Sequence, residues 1–142
     1  MRKVTVKELF DHFGLEIFEQ LRWGEKSNYN FGAVYIISTS DNPKRNENGP
    51  EVPDFDETAI NQWLSNSPEL TIHKMKSPSF DQFRLALSTL WHPQENILYI
   101  GKATNLQERI KQLYKHKLGR SSPHAGGHWV KTLNDIDQLN IY

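Results

Sequence analysis

Between Ile97 and Ile110 the chain carries a phenol at Tyr99, an ammonium at Lys102 and a guanidinium at Arg109, around a glycine at Gly101. The pattern predicts a strand, a glycine turn and a helix start, which would turn all three groups toward one phosphate. Arginine suits that task because its planar fork grips phosphate oxygens and stays charged at any working pH. At about 100° per residue, Arg109 lies on the flank of the helix's apolar stripe, where its stem packs and its guanidinium enters a cleft. The helix start adds free amide donors and the positive end of its dipole. Strand alternation places Ile97, Tyr99 and Gly101 on one face and Leu98 and Ile100 on the other. Gly101 lets the backbone turn and approach a ligand, and Lys102 follows at the mouth of the helix. A nucleotide-binding P-loop is excluded, since its leading glycine would have to stand where Asn96 stands.

Each of these pieces alone is ordinary. A tyrosine on a strand is usually a core aromatic with a satisfied hydroxyl. The combination is more specific: Gly32, Tyr35, Tyr99, Ile100, Gly101, Lys102 and Arg109 fall in the order and register of the GIY-YIG signature. Over Gly32 to Ile37 and about Ile97 to Tyr142 the chain resembles the GIY-YIG nuclease family. Ala33 and Val34 depart from the first triplet, where the role is strand packing.

The resemblance implies an α/β (α+β) fold with a small mixed or antiparallel sheet of about three strands flanked by helices, with a helical insertion between the first two strands. It implies metal-dependent hydrolysis of DNA phosphodiester bonds, with Mg²⁺ or Mn²⁺ as cofactor and double-stranded DNA as partner. A tyrosine, Tyr99 or Tyr35, would relay the proton of the attacking water with help from Lys102, and Arg109 would clamp the phosphate. A phenol of pKa about 10 must then be pulled down by Lys102, Arg109 and the metal. A homodimer would suit double-strand cleavage.

The chain departs from the family at three places. The family's metal-binding glutamate follows the third strand, and here that strand, Gln138 to Tyr142, ends the sequence. The glutamate is therefore expected beyond Tyr142, and the chain reads as truncated and inactive by itself. Glu108 projects away from the Arg109 flank and does not substitute. Many relatives carry a Tyr or His one turn after the arginine, where this chain has Leu113; Tyr114 and His116 are the nearby candidates. A long insertion, 38–96, separates the tyrosine strands.

The supporting elements follow from periodicity. Leu9, Phe10, Phe13, Ile17, Phe18 and Leu21 recur at helical spacing and predict an amphipathic helix over Val6 to Trp23. A strand is predicted over Phe31 to Ser38, then a mobile loop over Asp41 to Pro53. Helices follow over Phe55 to Leu64, capped by Asp56 or Thr58, and over Phe80 to Leu90. The strand Ile97 to Ile100 leads to the clearest helix, Asn105 to Leu118, with Leu106, Ile110, Leu113 and Leu118 as its buried stripe. Trp129 to Leu133 reads as helical. Together these make one domain, with 1–30 as N-terminal helix and connector.

Charged residues balance at 17 basic and 17 acidic in 142, so the whole chain has no net pull on DNA or an acidic membrane. The distribution is uneven. Lys102, Arg109, Lys111, Lys115, Lys117, Arg120 and Lys131 lie in a stretch with Glu108 as its one acidic residue, and Lys102, Lys115, Lys117 and Arg120 are candidates for DNA contact. Asp41 to Glu69 is acidic. There is no cysteine, which excludes disulfides, thiolate zinc and a cysteine nucleophile. His124 and His128 are separated by two glycines and lack a third ligand, which argues against zinc. His124 reads instead as a hydrogen-bonding partner for a phosphate or carbonyl beside the strands. No apolar run reaches the ~18 residues of a membrane span, and the chain reads as cytoplasmic. Two other readings remain: a non-catalytic nucleic-acid-binding module of the same fold, and a protein-interaction domain using the acidic insertion.

Overall fold

The computed structural model describes residues 3–46, 53–67, 71–72, 75–76, 78–89, 91–118 and 128–142. Among the described residues there are four α-helices: α1 (Val6–His12), α2 (Glu57–Asn66), α3 (Phe80–Ser88) and α4 (Leu106–Lys115). The strands are β1 (Leu21–Arg22), β2 (Ala33–Ser38), β3 (Thr71–Ile72), β4 (Met75–Lys76), β5 (Ile97–Ala103) and β6 (Asn140–Ile141). Four of them form an antiparallel sheet in the order β1-β6-β2-β5, while β3 and β4 make a separate hairpin. The fold is mixed α/β, and the main sheet has four strands where about three were expected.

The extra strand comes from the N-terminal segment. Thr5 and Glu8 form a capping box that starts α1, but the helix stops at His12 rather than continuing to Trp23. Gly14 takes a positive φ of 66°, its N–H bonds Asp11 O and the Leu15 N–H bonds Phe10 O. These two bonds are a Schellman stop, which a left-handed glycine accommodates without a Cβ penalty. Beyond it, Leu21 and Arg22 pair with Ile141 and Asn140. The apolar residues of this segment kept helical spacing, but the glycine overrode it.

The two faces of the sheet carry separate cores. On one, Ile110 and Leu113 of α4 pack with Tyr35, Ile37, Ala103 and Ile141. On the other, Val6 and Phe10 of α1 pack with Ile36 and Tyr142. The register between β2 and β5 runs Ala33↔Ala103, Tyr35↔Gly101 and Ile37↔Tyr99, then shifts so that Ser38 pairs with Ile97. This bulge sends Ile97 to the α1 core while both Leu98 and Tyr99 pack on the α4 core. The strict alternation expected for Ile97 and Leu98 therefore fails at the bulge, and it holds from Tyr99 onward.

Two further elements differ from expectation. β5 continues through Gly101 to Ala103, so Gly101 is a strand residue and makes no turn. α4 ends at Lys115 rather than Leu118, with His116 as an extended C-cap. Within the insertion, α2 is capped by Asp56 and α3 by Ser79, and they meet through Trp63 and Phe83, whose ring centroids are 4.9 Å apart. A bridge between Phe55 and Leu133 and a bond from Asp56 N to Thr132 O at 2.6 Å tie the insertion to the 3-10 turn His128–Thr132. The expected loop over Asp41 to Pro53 lies in part outside the described residues.

Candidate functional site

Three of the four principal site residues come together. Tyr35 on β2 and Tyr99 on β5 share the α4 face of the sheet, with ring centroids 6.0 Å apart at an interplanar angle of 48°. α4 brings Arg109 over them, close enough for its guanidinium to act on the Tyr35 hydroxyl. Tyr35 is 1% exposed. Burial pushes its pKa up to about 12, with the Tyr99 hydroxyl adding to the rise and Arg109 opposing it. Tyr35 is thus a neutral hydrogen-bond donor at neutral pH, and Arg109 alone is not enough to make it a base.

Arg109 has an unused donor. Its Nη1 reaches Gln112 Oε1 at 3.5 Å, but its Nε is shielded from solvent and meets no acceptor among the described residues. Arg109 also has no carboxylate partner among them. A half-buried guanidinium with one shielded, unused donor and no carboxylate partner among the described residues, beside the Tyr35 phenol, is a charge arrangement that an anion would complete. Gln112 was not singled out from the sequence; its spacing of i,i+3 from Arg109 was the available signal.

Lys102 is not part of this group. It pairs with Val34, so its side is that of Ile36 and Ile100, opposite to Tyr35 and Tyr99, and it is exposed. The expectation that Lys102 lies at the mouth of the helix fails because the strand does not end at Gly101. The helix start is likewise occupied. The Leu106 and Gln107 N–H groups donate to Phe31 O and Tyr29 O at 3.0 and 2.9 Å, and the Glu108 N–H donates to Asn105 Oδ1. These first-turn amides are spent on the fold and are not free for phosphate.

The secondary candidates scatter. Tyr114 lies on another flank of α4, packs on Trp23, and donates its hydroxyl proton to Glu25 O at 2.7 Å; burial pushes its pKa up to about 12. His116 is buried at the helix end. Lys115 lines a cleft with Lys26 and Lys111, apart from Arg109, and Lys117 is exposed. Arg120 and His124 lie outside the described residues. Lys131 proves to be structural: its ammonium donates to the carbonyls of Leu113, Tyr114 and His116 at the end of α4. Burial there lowers its pKa.

No family model matches the chain, and neither a curated protein nor a solved structure matches it.

The site residues do not fit a hard divalent cation. Such an ion takes carboxylate oxygens, whereas the groups acting on the Tyr35 hydroxyl are Tyr99 and Arg109. Among the described residues no three His, Asp or Glu side chains gather to hold a metal, and Glu108 is exposed on α4. No helix among them is long and apolar enough to cross a membrane.

Proposed function

We propose that this chain is a GIY-YIG-like domain that binds the DNA phosphodiester backbone at Tyr35, Tyr99 and Arg109. The observation that carries this reading is Arg109, half-buried with a shielded Nε and without a carboxylate partner among the described residues, beside Tyr35, which packs on Tyr99 of the paired strand. In this reading a phosphate oxygen accepts from the Arg109 guanidinium, and its charge offsets the cost of burying that cation. The half-buried Tyr99 hydroxyl donates to a second oxygen and fixes the phosphate's orientation, while Tyr35, fully buried, supports Tyr99 and Arg109 from behind. Binding is the function favoured over hydrolysis for the residues described, because their donor set lacks a carboxylate for the metal that the family's chemistry uses. Metal-dependent DNA endonuclease activity belongs to the same proposal, on condition that a carboxylate outside these residues completes the site.

The test is a titration of the chain into labelled duplex and branched DNA, with Ca²⁺ present, at low and at raised salt. Salt-sensitive binding that Arg109→Ala weakens about tenfold is the expected result. Absence of binding at low salt, or binding that Arg109→Ala leaves unchanged, overturns the proposal.

A further inference from the structure

Beside Leu106 and Ile110 of α4, residues of the segment between α1 and β1 and of the loop before β2 enclose a cleft of about 120 Å³. Its aromatic wall is formed by Phe18, Tyr29 and Phe31. The ring centroids are 5.1 Å apart for Tyr29 and Phe31 and 6.1 Å for each pairing with Phe18, with interplanar angles of 53–78°. Phe18 is 64% exposed and Phe31 44%. The cluster is not a floppy surface patch, because Tyr29 O and Phe31 O accept the first two amides of α4.

The charge at this cleft is of one sign. Glu16 and Glu19 line it, and none of the described residues lining it is basic. Glu19 Oε2 accepts the Asn28 N–H at 3.0 Å, while its Oε1 is shielded from solvent and has no hydrogen-bond partner among the described residues. A carboxylate so placed projects a negative potential that water screens poorly. Aromatic faces and carboxylates together attract a cation with an apolar stem. They repel a phosphate backbone.

We propose that this cleft receives a lysine or arginine side chain presented by a protein partner, its stem against Phe18 and Phe31 and its charge facing Glu16 and Glu19. Tyr35 also lines this cleft, but the proposal rests on Phe18, Phe31, Glu16 and Glu19 and does not depend on the phosphate reading.

The test uses capped tripeptides, glycine-arginine-glycine and glycine-lysine-glycine, against glycine-norleucine-glycine as the uncharged control, with aromatic proton shifts of Phe18 and Phe31 followed by NMR. Saturable shifts in the millimolar range are expected with both cationic peptides and not with norleucine. Glu19→Gln keeps an acceptor for Asn28 and is expected to weaken binding about fivefold, while Phe18→Leu, at an exposed position, weakens it about threefold. Equal shifts with norleucine, no saturable shift, indifference to Glu19→Gln, or displacement of the same resonances by an oligonucleotide would each overturn the proposal. Thermal melts of both variants verify that they are folded.

Discussion

The Tyr35 ring lies across Gly101, its register partner on β5. A methyl group built on Gly101 would stand 2.5 Å from the Tyr35 hydroxyl oxygen and 2.6 Å from its Cε1. The glycine is therefore required by the tyrosine of the neighbouring strand, and its φ is not left-handed. This contact links the two halves of the sequence signature physically. A tyrosine reaching toward Arg109 from β2 must pass over β5, and it passes where β5 has no side chain.

Gly101→Ala is accordingly expected to destabilise the chain by about 1–3 kcal/mol, the usual cost of overpacking a core. Denaturant unfolding measures the loss. In a Tyr35→Ala background the same substitution should cost much less, because the ring it meets is gone. Equal costs in both backgrounds would show that the Tyr35 contact is not the reason for the glycine.

Arg109 and Lys102 lie on opposite faces of the sheet, which separates two substitutions that the sequence made equivalent. Arg109→Ala should weaken DNA binding about tenfold and reduce the slope of log affinity against log salt by about one. Lys102→Ala, at an exposed position on the α1 face, should change affinity by less than about threefold. Fluorescence anisotropy over a salt series distinguishes them, and a larger effect at Lys102 would move the phosphate to the other face.

That Tyr99 and Arg109 lie near one another followed from local spacing along β5 and α4, whereas their meeting with Tyr35 needs the pairing of β2 with β5, which the order of the signature suggested and periodicity did not. The α4 stripe was legible from local spacing too, through Ile110 and Leu113. The finer placements that were not legible depended on the exact register between distant segments. The placement of Lys102 needed the register of Val34 opposite it, and the exchange of faces at Ile97 needed the bulge beside Ser38. The occupied amides of α4 needed Tyr29 O and Phe31 O from another part of the chain. The early end of α1 had a visible signal in Gly14, which helical spacing on both sides of it outweighed.

The raised pKa of Tyr35 has a pH signature. From about 10 in the unfolded chain to about 12 in the folded one, the native state holds its proton more tightly. The stabilisation is fully present below about pH 10 and is lost as pH rises through about 12. The effect is about 2–3 kcal/mol for so buried a phenol. Tyr114 is raised for the same reason and acts with the same sign, whereas the lowered pKa of Lys131 acts against it. Comparison with Tyr35→Phe isolates the Tyr35 contribution: unfolding free energies of the wild type should fall more steeply across this window than those of the variant. Parallel curves would show that Tyr35 is not buried as described.

Lys131 holds the end of α4 through three carbonyls, from Leu113, Tyr114 and His116. Those carbonyls have no following helical turn to satisfy them, since His116 is already extended. Lys131→Met keeps the apolar stem and removes the donors, and it should cost about 1–3 kcal/mol as the buried carbonyls lose their partner. The loss should be local as well as global. Hydrogen exchange in the last turn of α4 should quicken more than exchange in β2, where Ile36 and Ile37 remain enclosed by both cores. Arg109 lies more than a turn before this end, so DNA affinity measured on the folded variant should change little. A Lys131→Met protein as stable as the wild type would show that Lys131 does not cap α4 in solution, and would return its charge to the residues available for phosphate.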